Sequence, residues 1–235
     1  MKIKRLLVIP ARSGSKRIKN KNIKLFFGKP IISYPIKEAV KSKLFEKIHV
    51  STDSSKIAKI TKKFGAVSEF FRPKKLSRDN VSLFDVLKYV KNQYQIKGVS
   101  FDQIWCILPA SPLIDSNDIK KIVKFYGNKN KPMIAASPYP APLNWSFEVK
   151  NGKMKNINKN INNSNFNQKK AYYDSGQIYC FNNAYLLKKK FDFKDDILIY
   201  TLPLEKSVDI DNNNDFEFAK VLFKGLIRKN KNLIK

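Results

Sequence analysis

Histidine is nearly absent from this chain: His49 alone occurs among 235 residues, inside the strand-like run "KIHVST". A histidine-based triad or a zinc site needs an imidazole held among chemical partners, so neither is expected, and His49 reads as a packed strand residue. Cysteine is almost as scarce. Cys106 and Cys180 fall within the apolar runs "IWCILP" and "IYCF", which implies buried free thiols in a reducing compartment. The opening "MKIKRLLVIPARSG" has only a short apolar run before charge returns. That run is too brief for a signal-peptide core or a membrane span, so a cytoplasmic chain with no membrane partner is expected.

Acidic residues are few. Asp and Glu number 19 against 47 Lys and Arg, a formal charge of +28. Such an excess suits a polyanion, yet the arginines are only Arg5, Arg12, Arg17, Arg72, Arg78 and Arg228, and the lysines are spread through every segment. Stretches such as "NINKNINNSNFNQKK" point to a general compositional bias, and scattered lysine reads as a solvated surface. A nucleic-acid-binding module would need a basic face with interleaved exposed aromatics. Most aromatics here fall in core-like runs, so no nucleic-acid partner is expected.

The apolar content, 43% hydrophobic with 12% aromatic residues, is that of a folded globular chain. Short β-branched runs alternate with amphipathic segments of helix length, which predicts a mostly parallel, Rossmann-like α/β sheet flanked by helices. "LLVIP", "KIHVST", "SEFFRP", "QIWCILP" and "KPMIAASPY" read as strands. "KPIISYPIKEAVKSKLF", entered through Pro30, "SSKIAKITKKFG", "VSLFDVLKYVKNQYQ", "DSNDIKKIVKFYG" and the closing "DFEFAKVLFKGLIRKN" read as helices. Asn151-Gly152 inside "WSFEVKNGKMKNI" is a hairpin signal, and "AYYDSGQIYCF", "DILIYTLP" and "SVDID" are ordered segments beyond it. The expectation is one domain over 1–235 with a small β-containing insertion at about 140–180. Its polar run 156–170 is either a loop or a dimer contact.

Ligands of open α/β sheets bind beyond the carboxyl ends of the strands, so Arg12, Asp53 and Ser111 are candidates to converge there. Asp53 also reads as a cap for a helix beginning at Ser54. The loop "ARSGSKRIKNKN" concentrates Arg12, Lys16, Arg17, Lys19 and Lys21 around the single glycine Gly14. It lacks the Walker pattern of two glycines around a four-residue spacer followed by lysine and a hydroxyl residue. Side-chain cations would therefore meet a phosphate chain here, or else the loop is merely solvated. Near the other end, "VDIDNNNDF" places Asp209 and Asp211 at i and i+2, on one side of an extended segment. Such a pair suits magnesium, which binds one or two carboxylates and completes its shell with phosphates and water. The alternative makes Asp211 part of the cap of the last helix, with Asp215 in its first turn.

At these residues the chain resembles the CMP-sugar synthetases that act on nonulosonic acids. "IPARSGSKRIKNKNI" is similar to their N-terminal signature, "FFRPKKLSRDNVSLFDVL" to their base-binding segment and "VDIDNNNDF" to their metal motif, in the same order through nearly the whole chain. Within the family "AYYDSGQIYCF" resembles the pseudaminic acid cytidylyltransferases most, with Ser175 and Ile178 departing from their pattern. Leu108 in "LPASPL" departs from the glutamine of the sialic acid enzymes, whereas Ser111 lies closer to their pattern.

The resemblance implies transfer of CMP from CTP to the anomeric hydroxyl of a nonulosonic acid, pseudaminic acid first and N-acetylneuraminic or legionaminic acid otherwise, with Mg2+ as cofactor and a homodimer as the assembly. Carried over, Ala11, Arg12, Ser13, Lys16, Lys21, Asn22, Arg72 and Ser82 would bind the nucleotide, while Tyr173, Asp174 and Gln177 would face the sugar. Asp209 and Asp211 would hold the metal, and Lys21, Arg12 and Asp211 would carry catalysis. For Arg72 the other reading is an ion pair that fixes its loop. Tyr179 and Phe181 read as core or dimer contact, and the prolines of "AASPYPAP" as shaping a loop over the sugar pocket.

Overall fold

A computed structural model describes residues 3–157, 170–188 and 190–232. Ten strands and five α-helices are laid out along these residues. The strands are β1 (Arg5–Pro10), β2 (Leu25–Phe26), β3 (Lys29–Pro30), β4 (Lys47–Ser51), β5 (Gln103–Ile107), β6 (Met133–Pro138), β7 (Phe147–Lys150), β8 (Lys153–Asn156), β9 (Tyr172–Asn182) and β10 (Leu198–Thr201). The helices are α1 (Ser33–Ser42), α2 (Ser55–Lys62), α3 (Leu83–Ile96), α4 (Ser116–Tyr126) and α5 (Asn213–Asn232). Six strands form the main sheet in the order β10-β6-β9-β5-β1-β4. All its neighbours run parallel except β9, which is antiparallel to both β5 and β6. The mostly parallel sheet expected from the sequence is present.

The alternation inside each strand explains why both faces are covered. In β1, Leu7 and Ile9 enter one core with residues of α1, α2 and α4, while Leu6 and Val8 enter the opposite core with α3. Successive side chains of a strand point to opposite faces, so a run that is apolar throughout must be buried on both. The strand β5 repeats the rule with Trp105 and Ile107 on the first side and Ile104 and Cys106 on the second. Cys106 and Cys180 are therefore buried, free and on opposite sides of the sheet. Burial raises both thiols well above their ordinary pKa, and an un-ionised thiol is inert.

Several local expectations are corrected. Helix α1 begins at Ser33 instead of at Pro30, because Lys29–Pro30 pairs with Leu25–Phe26 in a two-stranded ribbon. "SEFFRP" is not a strand. Val67 alone bridges to His49, and the Ser68 hydroxyl then takes the Val50 carbonyl at 2.8 Å, which ends the ladder. Residues 172–180 of the stretch expected as an insertion at 140–180 lie in β9 of the main sheet. The hairpin β7-β8 does form, as a separate two-stranded sheet, with Asn151 and Gly152 at φ 51° and 73°, the left-handed pair a tight hairpin turn requires. Most of the polar run 156–170 lies outside the described residues.

Candidate active site

The parallel strands β1, β4 and β5 end at one edge of the sheet, and antiparallel β9 begins at that same edge. The loop after β1 carries the cations. Its Ser13 donates to Asp53 through both backbone N–H (2.8 Å) and hydroxyl (3.0 Å), which ties the loop to the end of β4. Asp53 is thus not the helix cap; Ser54 accepts from Ile57 N–H and caps α2. The short 3-10 turn Lys21–Ile23 follows, and the buried Asn22 donates its side-chain amide to the Arg12 carbonyl at 2.9 Å. These bonds fix the loop from within.

The other end of the chain closes on this loop. Lys21 Nζ donates to the Ile210 carbonyl at 2.7 Å and lies 3.3 Å from Asp211 Oδ1, while Arg17 Nη1 lies 2.8 Å from Asp211 Oδ2. Ile210 is fully buried among Ile18, Phe26, Ile31 and Phe216, which anchors the segment between its two carboxylates. Asn212 and Asp215 cap α5 reciprocally: Asp215 accepts from Asn212 N–H at 2.9 Å, and Asn212 accepts from Asp215 N–H at 3.0 Å. Capping is done without the Asp211 carboxylate, which leaves that group to face cations. Upstream, Lys206 is held by Asp115 at 2.8 Å and by Asp118, the capping pair of α4. A cleft of about 200 Å³ opens between these parts, lined by Arg12, Lys16, Arg17, Lys21, Leu108 and Asp211 among others.

Asp209 borders β9. A Cβ placed on Gly176 would come within 3.0 Å of Asp209 Oδ2, and Gly176 has φ +62°, so a glycine is needed there on two counts. Asp209 stays exposed as a residue, yet the protein around its carboxyl and, second, the charge of Asp211 raise its pKa above the ordinary carboxylate range. It makes no ion pair among the described residues, and no group of three or more His, Cys, Asp and Glu that could hold a metal is gathered there.

On β9, Tyr173 packs edge-on against Tyr139 with ring centroids 5.1 Å apart, and its hydroxyl lies 3.4 Å from Ser207 Oγ. Asp174 is exposed and accepts from the Tyr179 hydroxyl through both oxygens, at 3.1 and 3.0 Å. Gln177 is buried and donates to the carbonyls of Val208 (2.9 Å) and Ser175 (3.2 Å), so it binds the acidic segment to the sheet.

Several residues expected to contact the nucleotide have partners within the protein. Ala11 is fully buried with its N–H on the Ser51 carbonyl, and Ser13 and Asn22 are engaged as above. Arg72 is buried and donates to Ser51 Oγ (3.1 Å) and the Ser51 carbonyl (2.5 Å). It fixes its loop, but by hydrogen bonds and not by the ion pair considered above; burial lowers its pKa to about 10. Ser82 caps α3, accepting from Asp85 N–H at 3.1 Å. Ser111 is fully buried with no partner for its hydroxyl and does not join Arg12 and Asp53. Sequence reasoning missed Asp79, which pairs with Arg12 and with Lys16 (2.6 Å), together with Lys206 and the Tyr179 hydroxyl. The Asp115-Asp118 spacing signals a capping pair, but no local pattern points to its long-range partner Lys206.

A mostly parallel sheet with a cationic loop after its first strand and a carboxylate pair brought in from the far end fits a nucleotidyltransferase. Residues 6–233 match the cytidylyltransferase family, and the chain belongs to it. It is 34% identical over 225 residues to the pseudaminic acid cytidylyltransferase of Campylobacter jejuni, covering 94% of this chain and 97% of that protein. It is 28% identical to the CMP-N,N'-diacetyllegionaminic acid synthase of Legionella pneumophila, covering 92% and 95%. In fold it is similar to a CMP:2-keto-3-deoxy-manno-octonic acid synthetase solved with CTP, at TM-score 0.69 and 16% identity over 94% of this chain and 99% of that one.

Proposed function

We propose that this enzyme transfers CMP from CTP to the anomeric hydroxyl of a nonulosonic acid, pseudaminic acid in the first place, and releases pyrophosphate. The observation that carries the reading is Lys21 joined to Ile210 and Asp211, so that Asp211 lines one cleft with the cationic loop. The similarity to the Campylobacter jejuni enzyme over nearly the full length of both chains supports the choice of sugar. The similarity to the legionaminic acid synthase keeps that sugar as the second candidate.

In this reading the sugar hydroxyl attacks the α-phosphorus in line, and the protein contributes positioning and charge. Arg12 and Lys16 hold the outer phosphates, and Lys21 stabilises the charge that grows as pyrophosphate departs. Asp209 and Asp211 would hold Mg2+, which would lower the charge on the phosphoryl oxygens. Asp174, oriented by Tyr179, accepts hydrogen bonds from the sugar, and the Tyr173 ring covers an apolar group. Gln177 keeps the acidic segment against β9. The enzyme works in the cytoplasm as a homodimer.

Pyrophosphate release tests this with CTP and magnesium, supplying pseudaminic, legionaminic and N-acetylneuraminic acid separately, with ATP, GTP and UTP as controls. Turnover with CTP and pseudaminic acid alone is expected. A folded protein that turns over none of the sugars and binds RNA tightly overturns the reading.

A further inference from the structure

Arg12 and Lys16, the two cations assigned to the outer phosphates, are not free in this structure. The Asp79 carboxylate pairs with both, at 2.6 Å to Lys16 and in closer contact with Arg12. Arg12 Nη1 also reaches the Ser77 carbonyl at the long distance of 3.5 Å, so the loop 77–80 is drawn across the phosphate loop. Asp79 is the sole acidic residue of the stretch "RPKKLSRDN", among Arg72, Lys74, Lys75 and Arg78. Its side chain is 48% exposed and touches no buried charge that its removal would strand. The bonds from Lys16 and Arg12 hold its carboxyl below the ordinary range, so it is ionised at neutral pH. A carboxylate paired with arginine and lysine presents the same kind of anionic oxygens as a phosphoryl group.

We infer that Asp79 sets the affinity of the site for phosphate: it stands in for phosphate on Arg12 and Lys16, and a ligand gains those two cations only by displacing it. The inference rests on the reading above, in which these cations meet the phosphates of CTP. Displacement weakens every ligand that uses Arg12 and Lys16, substrate CTP and product pyrophosphate alike, and leaves cytidine, which has no phosphate, unaffected. Weaker ground-state binding raises KM without lowering the chemical rate, and it lets pyrophosphate leave.

The test is titration calorimetry of magnesium pyrophosphate and of cytidine against the full chain and Asp79→Asn, with KM and kcat for CTP measured alongside. Exposed ion pairs are weak individually, so two of them predict a gain on the order of three- to tenfold in pyrophosphate affinity. CTP KM should fall by a similar factor, kcat should not rise, and cytidine binding should stay unchanged. Asp196→Asn, which breaks the exposed pair with Lys131, controls for net charge. Unchanged or weaker pyrophosphate binding in folded Asp79→Asn overturns the inference, as does an equal gain in Asp196→Asn. Asp79→Ser provides a second variant should the first fold poorly. A wild-type chain that binds neither CTP nor pyrophosphate overturns the functional reading instead.

Discussion

Lys21 and Asp211, separated by 190 positions in the chain, meet with 3.3 Å between Nζ and Oδ1. The pair is partly exposed, at 23% and 34% of the two side chains, so its role in stability is small. Its removal should be felt in turnover. Lys21→Ala and Asp211→Asn are each expected to lower kcat by on the order of 10²–10³-fold, the scale of losing one charge-stabilising group. Pyrophosphate release and a thermal melt check this together. Full activity in either variant, with an unchanged melt, removes that residue from the mechanism.

Gly176 is where the sheet touches the acidic pair. Alanine there must adopt φ +62° and bring its Cβ to 3.0 Å from Asp209 Oδ2. The backbone strain alone is about 1–2 kcal/mol for a residue other than glycine. Gly176→Ala should therefore unfold at lower urea concentration and need more magnesium for half-maximal rate, since Asp209 must shift. A normal magnesium midpoint in the variant would show that Asp209 does not hold the ion.

Tyr179 tests the sugar side. Its hydroxyl is bonded to both oxygens of Asp174, and hydrogen bonds to a charged group contribute about 1.5–3 kcal/mol. In Tyr179→Phe the Asp174 carboxylate keeps only the bond from Gly176 N–H (2.9 Å) and its orientation loosens, while the phosphate cleft is untouched. The expected result is a KM for the nonulosonic acid raised on the order of tenfold with CTP KM unchanged. A rise confined to CTP KM would move Asp174 out of the sugar site.

The legible parts of this molecule were those written in local patterns. Doubly buried strands such as Leu6–Ile9, the Asn151-Gly152 hairpin and the cationic loop all show in runs of a few residues, and so do Asp209 and Asp211. What local pattern could not give is where hydrogen-bonding capacity is spent. Ser82 and Ser13 have the hydroxyls a nucleotide site wants, but α3 needs a cap and the loop needs Asp53. "SEFFRP" has the paired aromatics of a strand, yet Phe70 turns inward to stack on His49 at 4.5 Å and Arg72 folds back onto Ser51. Asp79 was hidden for the opposite reason, because a single carboxylate in a basic loop carries no spacing signal at all.

His49 offers the last prediction, since its reading as a packed strand residue has a measurable consequence. The ring is fully buried, lies 2.9 Å from the Tyr94 hydroxyl through Nδ1 and has no partner for Nε2. Burial lowers its pKa from 6.5 to about 3; Glu69 favours the proton, and Lys47, Arg72 and Lys97 oppose it. Because the folded value lies below the unfolded one, the unfolded chain binds the proton first as pH falls. The contribution of the neutral ring is whole above the unfolded pKa of 6.5 and is lost progressively from there down to about pH 3. At about 1.4 kcal/mol per pH unit below 6.5, wild type should lose about 2 kcal/mol more than His49→Gln between about pH 7.5 and pH 5. Urea unfolding of both proteins across that range reads the difference. A gap that stays constant with pH would mean that the imidazole takes up its proton in the folded state, and that the strand β4 admits water or a counter-charge at its centre.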